Sequence, residues 1–182
     1  IVVVEAGPPP RGAGSVEAHA GCLSFELSTG SQRIVVNCGA SRFGTPELRL
    51  AARATAAHST VTLNDRSSAV FGLVLGERRI TAGPADIRAA RQETEQGVEW
   101  VASHDGYKRS FGVVHTRRLV LAPGRNQLLG EDEISPSPTM ASLPAAARFH
   151  LHPNVKPSLI REGQGALLAL PSGEVWAFEA SG

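Results

Sequence analysis

Six histidines carry most of the chemistry open to this chain: His19, His58, His104, His115, His150 and His152. An imidazole can trade a proton near neutral pH, or bind a metal through one nitrogen while the other holds a hydrogen bond. Its neighbours decide which. Just after His19, Leu23, Phe25 and Leu27 alternate with Ser24, Glu26 and Ser28, which predicts a strand with one face inward. Ser28-Thr29-Gly30-Ser31 predicts a turn into a second strand. With residues 29–31 as the loop, position 23 falls opposite 37 and position 22 opposite 38. His19 and Asn37 then share the face of Leu23 and Phe25, while Cys22 and Cys38 are neighbours on the other face, within bridging reach. One disulfide or two half-buried free thiols would both suit that pairing.

His150 and His152, in RFHLHP, stand at i and i+2 on one predicted strand face. That spacing suits either a pair of metal-binding imidazoles or a solvated polar face alternating with Phe149 and Leu151. His115 lies beside Arg117 and Arg118, with His104 and Lys108 near in sequence. Such a group makes a cationic patch for carboxylates or sulfates, or simply the polar outer face of a strand. His58, in RATAAHSTVTLND, comes at the start of a strand after a run of small residues. A structural role and a ligand role are both open to it.

The elements that must position these residues are short strands. Beyond the first hairpin, strands are predicted at 59–64, 69–75, 98–103, 112–121, 126–134, 147–152, 166–170 and 175–180. Between them stand turn formers such as Asn64-Asp65, Gly76-Glu77, Asp105-Gly106, Pro123-Gly124 and Pro171-Ser172-Gly173. Many short strands at this spacing predict an all-β sandwich or barrel. Helical text is sparse. The run 84–91 has room for two helical turns but no long apolar stripe, and the run 46–58 suits a helix or an extended approach to the next strand. Gly7-Pro8-Pro9-Pro10-Arg11-Gly12 and Ser135-Pro136-Ser137-Pro138 read as stiff loops, too short for interdomain linkers.

A chain of 182 residues can bury a sizeable core, and its length favours one domain. Eighteen basic against seventeen acidic residues give a formal net charge of +1, so no global field draws nucleic acid or a membrane surface. No apolar run approaches the ~20 residues of a membrane span. Neither a P-loop nor a dinucleotide fingerprint is present. The chain opens on Ile1-Val2-Val3-Val4 with no initiator Met and no signal peptide, which reads as a piece of a longer protein.

Four ordered stretches, EAHAGCLSFELSTGSQRIVVNCG, RATAAHSTVTLND, SHDGYKRSFGVVHTRRL and RFHLHPNV followed by LLALPSGEVWAFEA, resemble the C-terminal β-sandwich domain of the heparinase II/III-like family, and its alphaproteobacterial branch in particular. The resemblance runs over nearly the whole chain. It implies an antiparallel β-sandwich of the polysaccharide-lyase type, joined in a longer bacterial protein to an N-terminal α/α toroid across a polysaccharide cleft. It also implies a lyase that cleaves uronic-acid polymers, heparan-like or alginate-like, by β-elimination. The toroid's Asn, His and Tyr supply the proton transfers, so the fragment alone is expected to be inactive. A periplasmic location is suggested by the same resemblance.

In characterised members the sandwich contributes an H-x-H-x-D motif, an Asp on the next strand and the His of an A-H-N-T segment, some of them holding zinc. Here Glu17 stands in the place of the first His, His19 is the second, Gly21 replaces the motif's Asp, Asn37 replaces the next Asp, and His58 is the last His. The resemblance thus implies substrate contacts at His19, Asn37 and His58, to which the cationic patch adds His115 and Arg117, with zinc, if held, on His19 and His58. No cofactor is required. Glu17 could supply a carboxylate ligand or a base, a reading that comes from its side chain and not from the family. The rival reading, suggested by Glu17, Gly21 and Asn37, is a carbohydrate-binding or interaction module in a protein that has lost lyase chemistry.

Overall fold

A computed structural model describes residues 1–40, 44–122, 124, 126–136 and 143–181. Pro123, Ser137 and Pro138, which the sequence assigns to a turn and a loop, lie outside them. The fold is an all-β sandwich of antiparallel sheets, with two short α-helices among the described residues.

One sheet joins β1 (Val2–Val4), β2 (Phe25–Thr29), β3 (Gln32–Val36) and β12 (His150–Leu151) in the order β1-β2-β3-β12. Phe25 and Leu27 are buried while Glu26 and Ser28 are half-exposed, as the period-two pattern requires. The loop is shorter than expected. Thr29 pairs with Gln32 across a two-residue turn at Gly30 and Ser31, and a bulge between Leu27 and Ser28 sets Leu27 opposite Val35. Upstream the strand ends early, because Leu23 is in the left-handed region at φ 61° and residues 21–24 fold back onto β1. Glu5 and Ser24, and Leu23 and Glu5, are linked by backbone hydrogen bonds. The cysteine pairing therefore fails: Cys22 is a buried free thiol packed with Leu23 and Ala102, and Cys38 is an exposed free thiol.

A second sheet is a meander of β7 (Ile87–Thr94), β8 (Gly97–His104), β9 (Val114–Ala122) and β10 (Gln127–Ser135). β7 occupies the run with room for two helical turns. Eight cross-strand pairs with β8, from Ile87 opposite His104 to Thr94 opposite Gly97, satisfy its backbone, whereas a helix here would have no apolar stripe to bury. A third sheet holds β13 (Lys156–Ile160), β14 (Gly165–Ala169) and β15 (Val175–Glu179). Two further pairs are β4 (Val61–Leu63) with β11 (Ala145–Ala147) and β5 (Val70–Val74) with β6 (Glu77–Ala82).

Helix α1 (Pro46–Arg53) starts where Thr45 accepts a hydrogen bond from the Leu48 amide, with Pro46 in the first turn. Helix α2 (Lys108–Phe111) ends on Gly112 at φ 73°. The main core gathers Phe25, Leu27, Ile34, Val35, Leu119 and Leu168, with Phe149, Trp176 and Phe178 packed against them. Each large apolar side chain buried there contributes roughly 1.5–3 kcal/mol.

Candidate functional site

His58 follows the single 3-10 turn Thr55–Ala57, whose geometry delivers its ring inward; only 3% of the residue is exposed. Its Nδ1 lies 2.8 Å from the Ala54 carbonyl oxygen and its Nε2 lies 3.0 Å from His19 Nδ1. A carbonyl only accepts, so Nδ1 of His58 carries the proton and Nε2 offers a lone pair. His19 then donates to it, with the rings edge-on at a centroid distance of 5.1 Å. Burial lowers the His58 pKa; the Ala54 carbonyl opposes this and the neighbouring His19 and His150 reinforce it. His19 is lowered too, by burial and then by Arg53, against the opposing charge of Glu17. Both imidazoles are neutral at pH 7.

Asn37 does not join them. Its Oδ1 accepts from the Ser59 amide at 2.8 Å and its Nδ2 donates to the Ser24 hydroxyl at 3.3 Å, so it ties β3 to the segment leading into β4. Glu17 is exposed beside His19. Gly21 is where the structure adds a residue that the sequence did not mark. A Cβ at position 21 would come 2.7 Å from Glu5 Oε2 and 2.7 Å from His58 Cδ2, so glycine here leaves the room that the Glu5 carboxylate and the imidazole share. Burial raises the Glu5 pKa, against a hydrogen bond from Ser24. Position 5, after a Val run at a strand end, carries no motif that would have singled it out.

Arg53 and Arg117 are both engaged. Arg53 donates to the carbonyl oxygens of Ala18, Arg78 and Ser15 at 2.8, 3.0 and 2.8 Å. Arg117 and His115 sit on neither an outer face nor an open cationic patch, because both point inward and are 1% and 0% exposed. Arg117 forms a fork on Asp132 (2.7 and 2.8 Å) and also donates to the Leu23 and Ser59 carbonyls. His115 Nε2 meets Asp132 Oδ1 at 2.7 Å, and its Nδ1 faces His104 Nε2 at 3.3 Å. His104 Nδ1 accepts from the Gly106 amide, which fixes the proton order along the chain His104, His115, Asp132. Burial, reinforced by His115, pushes the His104 pKa down to about 3. Burial also pushes the Asp132 carboxyl up, but hydrogen bonds from His115 and Arg117 outweigh it and hold the group at about 2.

His150 and His152 diverge. His150 bridges Cys38 Sγ (3.5 Å) and the Ala56 carbonyl, whereas His152 contacts Arg33 at 3.1 Å. They lie at the end of a two-residue strand, too short to hold both rings on one face. Among the described residues no three His, Cys, Asp or Glu side chains are disposed to hold a metal ion. The His19–His58 pair supplies two nitrogens, and the carbonyl-held Nδ1–H of His58 is the support a metal ligand needs. With Asn37 engaged and Gly21 without a side chain, the pair is one short of the three protein ligands of an open zinc site.

The profile of the family described as heparinase II/III-like, C-terminal matches residues 1–182. FtsZ-localized protein C of Caulobacter vibrioides (strain NA1000 / CB15N) is 36% identical over 192 residues, covering 96% of this chain and 32% of that protein. The chain thus spans about a third of the length of this curated relative. No solved structure matches at a significant level.

Proposed function

The chain belongs to the heparinase II/III-like C-terminal family, and on that premise we propose that it forms the sandwich wall of a cleft that binds uronate polysaccharide in a longer lyase-type protein. The observation that carries this reading is the neutral His19–His58 pair, oriented by the Ala54 carbonyl, at the two positions that the family resemblance implies for sandwich histidines. Of these neutral imidazoles, His58 spends both nitrogens on Ala54 and His19 and so orients His19, whose Nε2 can accept from a sugar hydroxyl. They leave the carboxylate uncompensated. β-Elimination removes the C5 proton, breaks the bond to the 4-O-linked sugar and leaves a double bond, so it requires the uronate carboxylate to be neutralised. Arg53 and Arg117 are engaged by backbone carbonyls and Asp132, and this domain therefore binds and orients while the proton transfers fall to the rest of the longer protein.

The test is turnover of uronate polymers by the full-length protein, read as absorbance of the unsaturated product. His58→Ala, by releasing the His19 ring that meets the substrate, should raise KM and lower turnover at least tenfold per folded molecule. Product formation unchanged by the substitution would reject the role of His58.

A second reading is favoured by the relative's name. FtsZ-localized protein C is not named as a lyase, and Gly21 and Asn37 depart from the family's acidic residues. In that reading the domain is an interaction module of a protein that acts at an FtsZ assembly. Co-sedimentation of the full-length protein with FtsZ polymers, together with absence of product from every uronate polymer, would select it over the first.

A further inference from the structure

The third sheet ends in β15 and the second in β10, and neither strand has a partner on its outer side among the described residues. Between them runs a groove of about 1340 Å³. Residues 126–132 along β10 and 174–181 along β15 line it without a gap. Side chains on one face of a strand recur at every second residue. A lining that takes in odd and even positions alike therefore follows the backbone edge of each strand, where unpaired amides and carbonyls lie.

The floor of the groove is apolar, with Phe25, Leu119, Phe149, Leu168, Trp176 and Phe178. Leu129 and Val175, at its sides, remain 46% and 55% exposed. The charge along it is acidic. Asp132 is answered by Arg117, Glu179 by Arg161, and Arg118 by Glu99, whereas Glu131 and Glu174 take part in no ion pair among the described residues. Glu174 instead accepts from the Trp176 indole at 2.9 Å.

We propose that this groove is a β-strand acceptor: an extended peptide of another protein, alternating apolar and basic side chains, inserts between β10 and β15 and bonds to both edges. About six or seven residues, at roughly 3.3 Å each, would fill the run along β10. Apolar side chains descend onto the aromatic floor, and the alternate basic ones meet Glu131 and Glu174. The main-chain bonds give affinity and the alternate pockets give selection. Insertion would also join the second and third sheets into one. None of this depends on the histidine pair or on a glycan.

The probe is a synthetic peptide of about eight residues alternating valine and lysine, with a valine–glutamate peptide as its counterpart, each titrated into the full-length protein. Fluorescence anisotropy should show saturable binding of the lysine peptide and at least tenfold weaker binding of the acidic one. Amide hydrogen exchange should slow along both Gln127–Asp132 and Val175–Glu179 when the lysine peptide binds. The double variant Glu131→Lys, Glu174→Lys alters only exposed side chains, so it should keep the melting temperature and weaken binding about tenfold or more. Absence of saturable binding, or protection confined to other strands, overturns the proposal. A dimer that forms without peptide and protects the same two strands also overturns it, by giving the groove to a second copy.

Discussion

A histidine whose Nδ1–H is held by a carbonyl has one direction left to act in, and in this chain that direction is set by what stands at position 21. His58 faces His19 because the Ala54 carbonyl fixes its ring, and Glu5 reaches the same spot because Gly21 has no side chain. The sequence motif names His19 and His58 as partners, and the structure brings them together. It also names Asn37, which the Ser59 amide and the Ser24 hydroxyl engage instead. A prediction follows for Gly21→Ala. Its Cβ meets a ring locked on both nitrogens, so the neighbours cannot yield cheaply, and overpacking of this kind costs about 1–3 kcal/mol. Gly21→Asp, which restores the family's residue, adds a second carboxylate beside Glu5 and should lower the melting temperature further, with Glu5→Gln recovering part of the loss. An unchanged melting temperature in Gly21→Ala would show that the approach of Glu5 and His58 is not tight.

Strands are recognisable in a sequence when one face is buried, because burial imposes the alternation. β2, β8 and β9 meet that condition and their positions follow from pattern alone. β7 and β13 are exposed along most of their length, so no alternation marks them; they are strands because β8 and β14 offer them pairing edges. Register is harder still. A bulge at Leu27 and Ser28 and a left-handed Leu23 moved the hairpin from its expected pairing, and neither has a signature in residue type. The turn from β7 to β8 shows how narrowly such a connection can be specified. Gly97 has φ 134°, and a Cβ there would lie 2.1 Å from the Leu121 carbonyl oxygen on β9. Gly97→Ala thus meets backbone on one side and strain on the other. The expected result is faster amide exchange along β7 and the start of β8, with a fall in melting temperature of several degrees. Exchange rates equal to wild type in β7 would contradict the close approach.

Acid should loosen the whole molecule, and the buried histidine chain shows in which range. The folded His104 titrates at about 3, below its ordinary 6.5, so between those values the unfolded chain takes a proton that the folded one refuses. Stability then falls as pH drops from about 6.5 towards 3. Asp132 acts in the same direction lower down: its stabilisation is present above the ordinary 3.8 and is lost as pH falls from there through about 2. Melting temperatures measured from pH 7 to pH 3 should decline throughout, and His104→Gln should flatten the upper part of that decline. A parallel decline in the variant would place the titrating group elsewhere.

The same cluster links the sheets through one guanidinium. Arg117 stands on β9, forks onto Asp132 of β10, donates to the carbonyls of Leu23 and Ser59 in two other segments, and lies 5.6 Å from the centre of the Phe25 ring. Spacing in the sequence showed an Arg beside a His and suggested a surface; it could not show that an acid fifteen residues on would draw both inward. Replacing Arg117 by Met keeps much of the volume but leaves a part-exposed carboxylate and two carbonyls without their donor. Water reaches that carboxylate, so the loss rests mainly on the stranded carbonyls and costs about 1–3 kcal/mol. For a chain of this size roughly 2–4 °C accompanies each kcal/mol, so a fall of roughly two to ten degrees is expected. Adding Asp132→Leu to Arg117→Met removes the stranded charge and should restore part of the loss, giving a coupling well outside simple addition. Strictly additive melting shifts in the two single variants and the double would mean that Arg117 holds the sheets through its carbonyl contacts alone, and that the ion pair contributes nothing to their union.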